Sequence, residues 1–398
     1  MKHRPLKIIN ASIVTAEKII SHGSILIRDG KIQALMEGNV EDNEYEVLDA
    51  AGRYVSAGFI DIHVHGGAGH DFMDNSIESY LAIAELHARH GTTAFTPTTL
   101  SCEKEALLET LALYEQADAL NKNGAAFIGM HIEGPYFSMQ QRGAQDPRFI
   151  RHPDPEEYKE IISRSKIIKR WSAAPELPGA IEFGKYIQQH GILPAIAHTD
   201  AIYEEVLEAY KTGFTHVTHF YSCMSGVFRR NAYRYAGVIE SAYLLDDMTV
   251  EVIADGVHLP APLLKLVYKI KGPDKIALIT DAMRAAGMPP GESVLGRLQD
   301  GLKVIVEDNV AKLPDRSAFA GSVATADQLV RNMITLAEAP LTDAIKMMTA
   351  TPAAIMGVAE SKGTLAAGKD ADLVIFDKDI NIYHTIIGGE IVYQNIRT

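Results

Sequence analysis

The 398-residue chain is 47% hydrophobic and carries a formal net charge of -13, enough apolar material for a large core and a charge that argues against general affinity for nucleic acid or an anionic membrane. Its two cysteines, Cys102 and Cys223, are too few and too far apart for a disulfide framework or a cysteine-based zinc site. The opening Met1-Lys2-His3-Arg4-Pro5 lacks the apolar run and cleavage site of a signal peptide, and no apolar stretch reaches membrane length, so the expectation is a cytoplasmic globular protein.

In chain order, β signals come first. Ile8 to Val14, Ser24 to Arg28 and Lys31 to Leu35 read as strands, with Asp29-Gly30 as a two-residue hairpin turn between the last two. The same texture returns at the far end, in Asp372 to Phe376 and in Ile386 to Tyr393, the latter interrupted by Gly388-Gly389. These strands do not alternate with helices. We expect one small β-sandwich domain assembled from residues 1–57 and 359–398, with a large domain of residues 58–358 inserted between them.

Inside that insertion, strands alternate with amphipathic helices. Ile60, Ile62 and Val64 make Gly58 to Gly67 a strand, so Asp61, His63 and His65 share one face before Gly66-Gly67 stops it. Ser76 to Arg89 follows as a helix, with Asn75 as N-cap and Gly91 after its end. Further strands are expected at Thr92 to Thr99, Ala126 to Glu133, Ile167 to Pro175, Ile192 to His198, His216 to Tyr221, Thr249 to Asp255 and Lys275 to Asp281. With the first, that makes eight, the number that closes a (β/α)8 TIM barrel whose catalytic groups stand at the C-terminal ends of its strands. Gly296 to Leu313 reads as a hairpin insertion, and helices resume near Ala324.

Ionisable residues gather at those strand ends. One histidine at a strand end is more often structural than functional. Here His63, His65, Glu133, His198, His219 and Asp281 would all converge on one mouth of the barrel. Mixed imidazole and carboxylate donors suit a divalent metal, with zinc first and iron or manganese as alternatives, and a catalytic site keeps a position open for water.

The segments Gly-Phe-Ile-Asp-Ile-His63-Val-His65, His131-Ile-Glu133-Gly-Pro, His198-Thr-Asp, Thr218-His219-Phe-Tyr, Ala254-Asp-Gly-Val-His258 and Thr280-Asp281-Ala-Met, with Gly-Thr-Leu-Ala-Ala-Gly-Lys-Asp-Ala-Asp-Leu near the end, resemble the amidohydrolase superfamily. More narrowly, they are similar to the N-acetylglucosamine-6-phosphate deacetylase family. The resemblance implies hydrolysis of the acetamide of a 6-phosphorylated amino sugar, giving acetate and the free amine. It makes Glu133, His198 and His219 the ligands of the main metal, and His63 and His65 the pair that binds a second ion in those members that have one. Asp281 is then the catalytic acid and base. Strand four ends Ser172-Ala173-Ala174-Pro175-Glu176, without the lysine that bridges two metals in dihydroorotases and hydantoinases, which leaves bridging to Glu133.

For the substrate, the resemblance implies His258, Ser222, Cys223, Phe319 and Gly321 as binding positions. Gln145 stands where many members carry a histidine that helps hold the acetyl carbonyl, and its amide can still donate a hydrogen bond. After strand six the usual Tyr-Asn-Ala-Met is Tyr221-Ser222-Cys223-Met224, followed by a longer run through Arg229-Arg230-Asn231-Ala232-Tyr233-Arg234. In the family an arginine of this loop reaches the neighbouring subunit's active site. Arg234 matches best, with Arg229 and Arg230 as rivals, and a homodimer follows. The alternatives are a deacetylase of the galacto epimer or of an unphosphorylated N-acetyl sugar and, farther off, a noncatalytic sugar-binding barrel.

Overall fold

The alternating strands at both chain ends join into one eight-stranded mixed sheet in the computed structural model, which describes residues 5–395. Residues 1–4 and 396–398, the outermost parts of the terminal segments and of the N-terminal reading above, lie outside the described residues. The two chain ends meet where Leu373–Phe376 pairs antiparallel with Tyr54–Ala57, Leu373 opposite Ala57 and Phe376 opposite Tyr54. Ile8, Ile13, Ile25, Ile32, Val55, Leu373, Ile375 and Ile386 form a core of their own here. Asp29 and Gly30 take φ of 52° and 73°, the left-handed pair that a two-residue hairpin turn requires. Gly388-Gly389 does the same at the other end. The segment from Ile386 to Tyr393, interrupted at those glycines as expected, is thus two strands, Ile382–Ile387 and Glu390–Gln394, paired antiparallel across that turn.

All eight expected strands of the insertion are present and parallel. Phe59–Val64, Thr92–Pro97 and Ala126–Phe127 make one sheet, while Met130–Glu133, Ile168–Ala173, Leu193–Ile196, His216–Val217, Thr249–Val252 and Ile276–Leu278 make a second in chain order. The third expected strand is broken at Ile128-Gly129, with Gly129 at φ 105°, and its halves pair in different sheets. Isolated parallel bridges join Thr98 to His131 and Val64 to Ala282. Strands five, six and eight are shorter than expected at their C-terminal ends. The reason is conformational: His198, His219 and Asp281 sit at φ of 47°, 27° and 49°, left-handed geometry that ends a ladder and turns the side chain off the strand.

Two other expectations need correction. The helix Ile77–Arg89 is capped by Ser76, whose side chain accepts from Ser79 N, because Asn75 at φ 52° ends a short 3-10 turn instead and its side chain is held by Thr110. The insertion after strand eight is a four-stranded meander of Gly291–Leu295, Leu302–Glu307, Val310–Lys312 and Phe319–Ser322, with its own core of Met283, Leu295, Val304, Val306, Ala311 and Ala320. Its last strand returns to the eighth parallel strand through a bridge from Ser322 to Ala282, which brings Phe319 and Gly321 back to the strand ends. Among the described residues no helix is long and apolar enough to cross a membrane.

The packing under the Glu-Gly-Pro turn rests on the only tryptophan. Trp171 is fully buried, stacks on Tyr136 at 5.7 Å and meets Phe183 edge-on at 5.1 Å, while its Nε1 donates to Gly134 O at 2.8 Å. It thus fixes the backbone next to Glu133. Trp171→Ala is expected to cost about 3–5 kcal/mol, seen as a lower urea midpoint by far-UV circular dichroism. A loss below about 1 kcal/mol would mean that the turn is held by other contacts.

Candidate metal centre

Side chains from strands one, three, five, six and eight converge on Glu133, at the end of the third parallel strand. Its Oε1 lies 3.0 Å from His219 Nε2 and 3.5 Å from His198 Nε2 and His63 Nε2, and its Oε2 lies 3.3 Å from His65 Nε2. Two triads share it, Glu133-His198-His219 and His63-His65-Glu133, and all five residues are buried. Asp281 completes the group, with Oδ1 at 3.2 Å from His65 Nε2. The sequence-expected ligand set is therefore together in space, and Asp281 touches it.

The ring orientations fit a metal. His63 Nδ1 lies 3.1 Å from Glu251 Oε2 and His198 Nδ1 lies 2.8 Å from Gln141 O. Both partners only accept, so each Nδ1 carries the proton and each Nε2 turns a lone pair inward, the arrangement that outer partners impose on metal-binding histidines. These bare nitrogens stand 3.1 Å from His65 Nε2 and His219 Nε2 respectively. Nitrogen and carboxylate oxygen donors packed this way need a cation among them.

The charges say the same. Burial alone would raise the Glu133 carboxyl, but the imidazoles around it, His63 foremost, hold it well below its ordinary value. Asp281 is likewise lowered against burial by His63, His65 and His219. Burial lowers His65, yet the carboxylates of Asp281 and Glu133 outweigh it and raise its pKa to about 10.

A cavity of about 270 Å³ opens above these groups, lined by Gln145, Tyr221, Ser222, Cys223, His258, Phe319 and Gly321 as well as by the ligands. Gln145 Nε2 donates to Glu133 Oε2 at 2.7 Å and its Oε1 accepts from Ser101 N at 2.9 Å, so it also braces the shared carboxylate. Burial alone would raise the Cys223 thiol, but the neighbouring His198 holds it below its ordinary value. His258 packs on Phe319 at 4.7 Å, its Nδ1 2.7 Å from Asp255 Oδ2.

Three placements differ from what the motifs suggest. Asp61 does not face the ligands: its carboxylate takes the Thr280 hydroxyl at 2.6 Å and backbone N–H groups, tying strand one to strand eight. His131 lies beneath them, with Nε2 2.7 Å from Ser172 Oγ. Arg229, Arg230 and Arg234 are exposed on a two-stranded hairpin, Phe228–Arg230 with Tyr233–Tyr235, and none of them lines the cavity.

Sequence reasoning missed Asp255, which orients His258, and the buried pair Arg170–Glu251. The signal for the pair was present, because a charge inside Trp-Ser-Ala-type or Val-x-Val strand text has no place in a core unless another charge meets it.

Metal removal should make these charges visible. The raised His65 pKa contributes stability that is fully present below the unfolded value of about 6.5 and is lost as pH rises toward 10. The metal-stripped protein is thus expected to melt at progressively lower temperature from about pH 6.5 upward, while added divalent metal gives a gain in Tm that grows with pH, since fewer ligand protons must leave. Calorimetry of chelated and metal-loaded protein checks this, and a flat metal-free curve across that window would contradict it.

The amidohydrolase family model matches residues 54–392. N-acetylglucosamine-6-phosphate deacetylase of Lysinibacillus sphaericus is 34% identical over 97% of this chain and 97% of its own length. The crystal structure of N-acetylglucosamine-6-phosphate deacetylase from Pasteurella multocida superposes with a TM-score of 0.91 at 26% identity, covering 98% of this chain and 100% of that one. The Mycobacterium smegmatis enzyme, solved in complex with N-acetyl-D-glucosamine-6-phosphate, gives 0.90 at 28% identity over 98% and 100%. With one family model running from Tyr54 through the strands that carry Glu133 and its histidines to the C-terminal strands, and a relative 34% identical over 97% of the chain, the chain belongs to the amidohydrolase family and, within it, to the N-acetylglucosamine-6-phosphate deacetylases.

Proposed function

We propose that this chain hydrolyses the acetamide bond of N-acetylglucosamine-6-phosphate, giving glucosamine-6-phosphate and acetate. One observation carries the reading: a single buried carboxylate, Glu133, lies within 3.5 Å of four imidazole nitrogens, with Asp281 beside them. In this reading Glu133, His198 and His219 would hold one divalent ion, and His63 and His65, with Glu133, would hold a second. Zinc suits these donors, with iron or manganese as alternatives.

The same reading takes residues 58–358 as a closed (β/α)8 barrel. Its support is that the bridges Thr98 to His131 and Val64 to Ala282 link the two parallel sheets at both edges. The reading also takes the terminal segments, 1–57 and 359–398, as a small β-sandwich domain, supported by the single eight-stranded sheet and separate core that their described residues share.

A bound divalent ion lowers the pKa of water and polarises an amide carbonyl. The chain's own groups do the rest. Asp281, kept ionised by its imidazole neighbours, takes a proton from the attacking water as the new C–O bond forms. It returns that proton to the amine nitrogen as the C–N bond breaks, leaving acetate and the amino sugar. His258, with its Nδ1 proton held by Asp255, presents Nε2 to the sugar. Gln145 keeps Glu133 in place from the opposite wall.

Asp281→Asn is therefore expected to keep bound metal and most substrate affinity while turnover falls by roughly a hundredfold or more. Acetate release together with elemental analysis decides it, and near wild-type turnover would assign the proton transfer elsewhere.

Phosphate recognition needs a cation that this cavity lacks, since its lining holds no lysine or arginine. On the exposed hairpin, Arg229 and Arg234 are paired directly across the two strands, and like charges so placed repel unless an anion joins them. In a homodimer, this hairpin supplies the neighbouring subunit's site. Arg234→Ala should lower kcat/KM for N-acetylglucosamine-6-phosphate roughly ten- to a hundredfold, the about 1.5 to 3 kcal/mol of a charge-assisted pair, and leave the unphosphorylated sugar unaffected. Mixing it with Asp281→Asn should restore activity as subunits exchange. Equal losses on both sugars, or a wild type that prefers the unphosphorylated or galacto sugar, would overturn the substrate assignment.

A further inference from the structure

Beneath the metal centre lies an ion pair that no step above uses. Arg170 and Glu251, from strands four and seven, are both fully buried and bonded through Arg170 Nη1 and Glu251 Oε1. A bridge between two buried charges does little for stability by itself, and an apolar pair of like volume would pack as well. Its remaining contacts give it another role. Glu251 Oε2 receives His63 Nδ1 at 3.1 Å and the backbone N–H of His219 at 3.0 Å, while Arg170 Nη1 also donates to Ile62 O at 3.1 Å, the carbonyl just before His63. Arg170 Nη2 reaches Thr218 Oγ1 at 2.8 Å, and His216 Nε2 lies 3.4 Å from Glu251 Oε1. His63 is thus clamped at its ring and at the peptide before it.

We infer that Glu251, held by Arg170, is a positioning residue that makes the His63-His65 pair a metal site by fixing the His63 proton on Nδ1. The comparison within the site supports this. His198 has its proton fixed by the Gln141 carbonyl, on a different element, so its ion does not depend on Glu251 for the ring it uses. Among the described residues, His63 Nδ1 has no other hydrogen-bond partner. If Glu251 loses its charge, Nε2 is no longer reserved for metal, and the second ion suffers before the first. The inference rests on the two-ion reading above.

The test counts zinc. Glu251→Leu, and Arg170→Met/Glu251→Leu in which no buried charge is left unpaired, remove the acceptor altogether and are expected to keep the first zinc ion while binding the second about ten- to a hundredfold more weakly, the usual effect of removing an outer partner. Adding Glu251→Leu to His63→Asn should then weaken zinc no further, because both act through one ring. A purely structural role would lower Tm and weaken both ions alike, and that result, or two ions bound with wild-type affinity, overturns the inference. One zinc ion per chain in the wild type overturns the two-ion reading and this inference with it. The nitrogen spectrum of histidine-labelled, zinc-loaded wild type gives a reading that no variant's folding affects: a proton on His63 Nδ1 supports the clamp, and one on Nε2 sinks it.

Discussion

The arrangement depends on one electrostatic constraint, a carboxylate buried among imidazoles. Glu133 is only 2% exposed, and an unpaired charge at such a depth would cost several kcal/mol. Its Oε1 lies among His63, His198 and His219 while its Oε2 faces His65, so the residue that is hardest to bury is also the one that joins the two halves of the site. Nothing else in the centre can be moved without changing what surrounds this carboxylate.

Around it, the fold supplies order in layers. The outer nitrogens of His63 and His198 are taken by a carboxylate and a carbonyl, which aims the inner nitrogens. Asp61 fastens strand one to Thr280 just before Asp281, and burial raises its own carboxyl to about 7 despite the threonine bonds. Three of the converging residues sit in left-handed backbone geometry. That strain is tolerated because each is fixed from several sides, and it is what takes the side chains off their strands and into a common volume.

In the proposed reading, chemistry and substrate choice are separated in space. The ligands and Asp281 come from strand ends that packing holds rigid. The walls of the cavity come from later additions to the chain: the turn Tyr221 to Met224, the meander that carries Phe319 and Gly321, and the loop with Gln145. Gln145 spends its hydrogen bonds on Glu133 and on Ser101 N, so this wall is also part of the support for the metal centre. The arginine hairpin stands apart from all of these, with Arg229, Arg230 and Arg234 outside the cavity lining.

Much of this was legible in the sequence. The alternation of strand and helix texture gave eight parallel strands, and the ionisable residues at their ends included every member of both ligand triads, because side-chain period and strand direction are local properties. What could not be read was everything that depends on closure in space. Arg170 and Glu251 are 81 residues apart and each looks misplaced alone, so only the folded structure explains either. Which nitrogen of His63 carries its proton is decided by a residue on strand seven. The break at Gly129, the capping role of Ser76 and the first and fourth strands of the meander were hidden because turn geometry at those points is selected by tertiary contacts. The sequence by itself determined which residues could carry the chemistry; only the tertiary structure decided which of them share one carboxylate, because that needs five strand ends within hydrogen-bonding reach of one another.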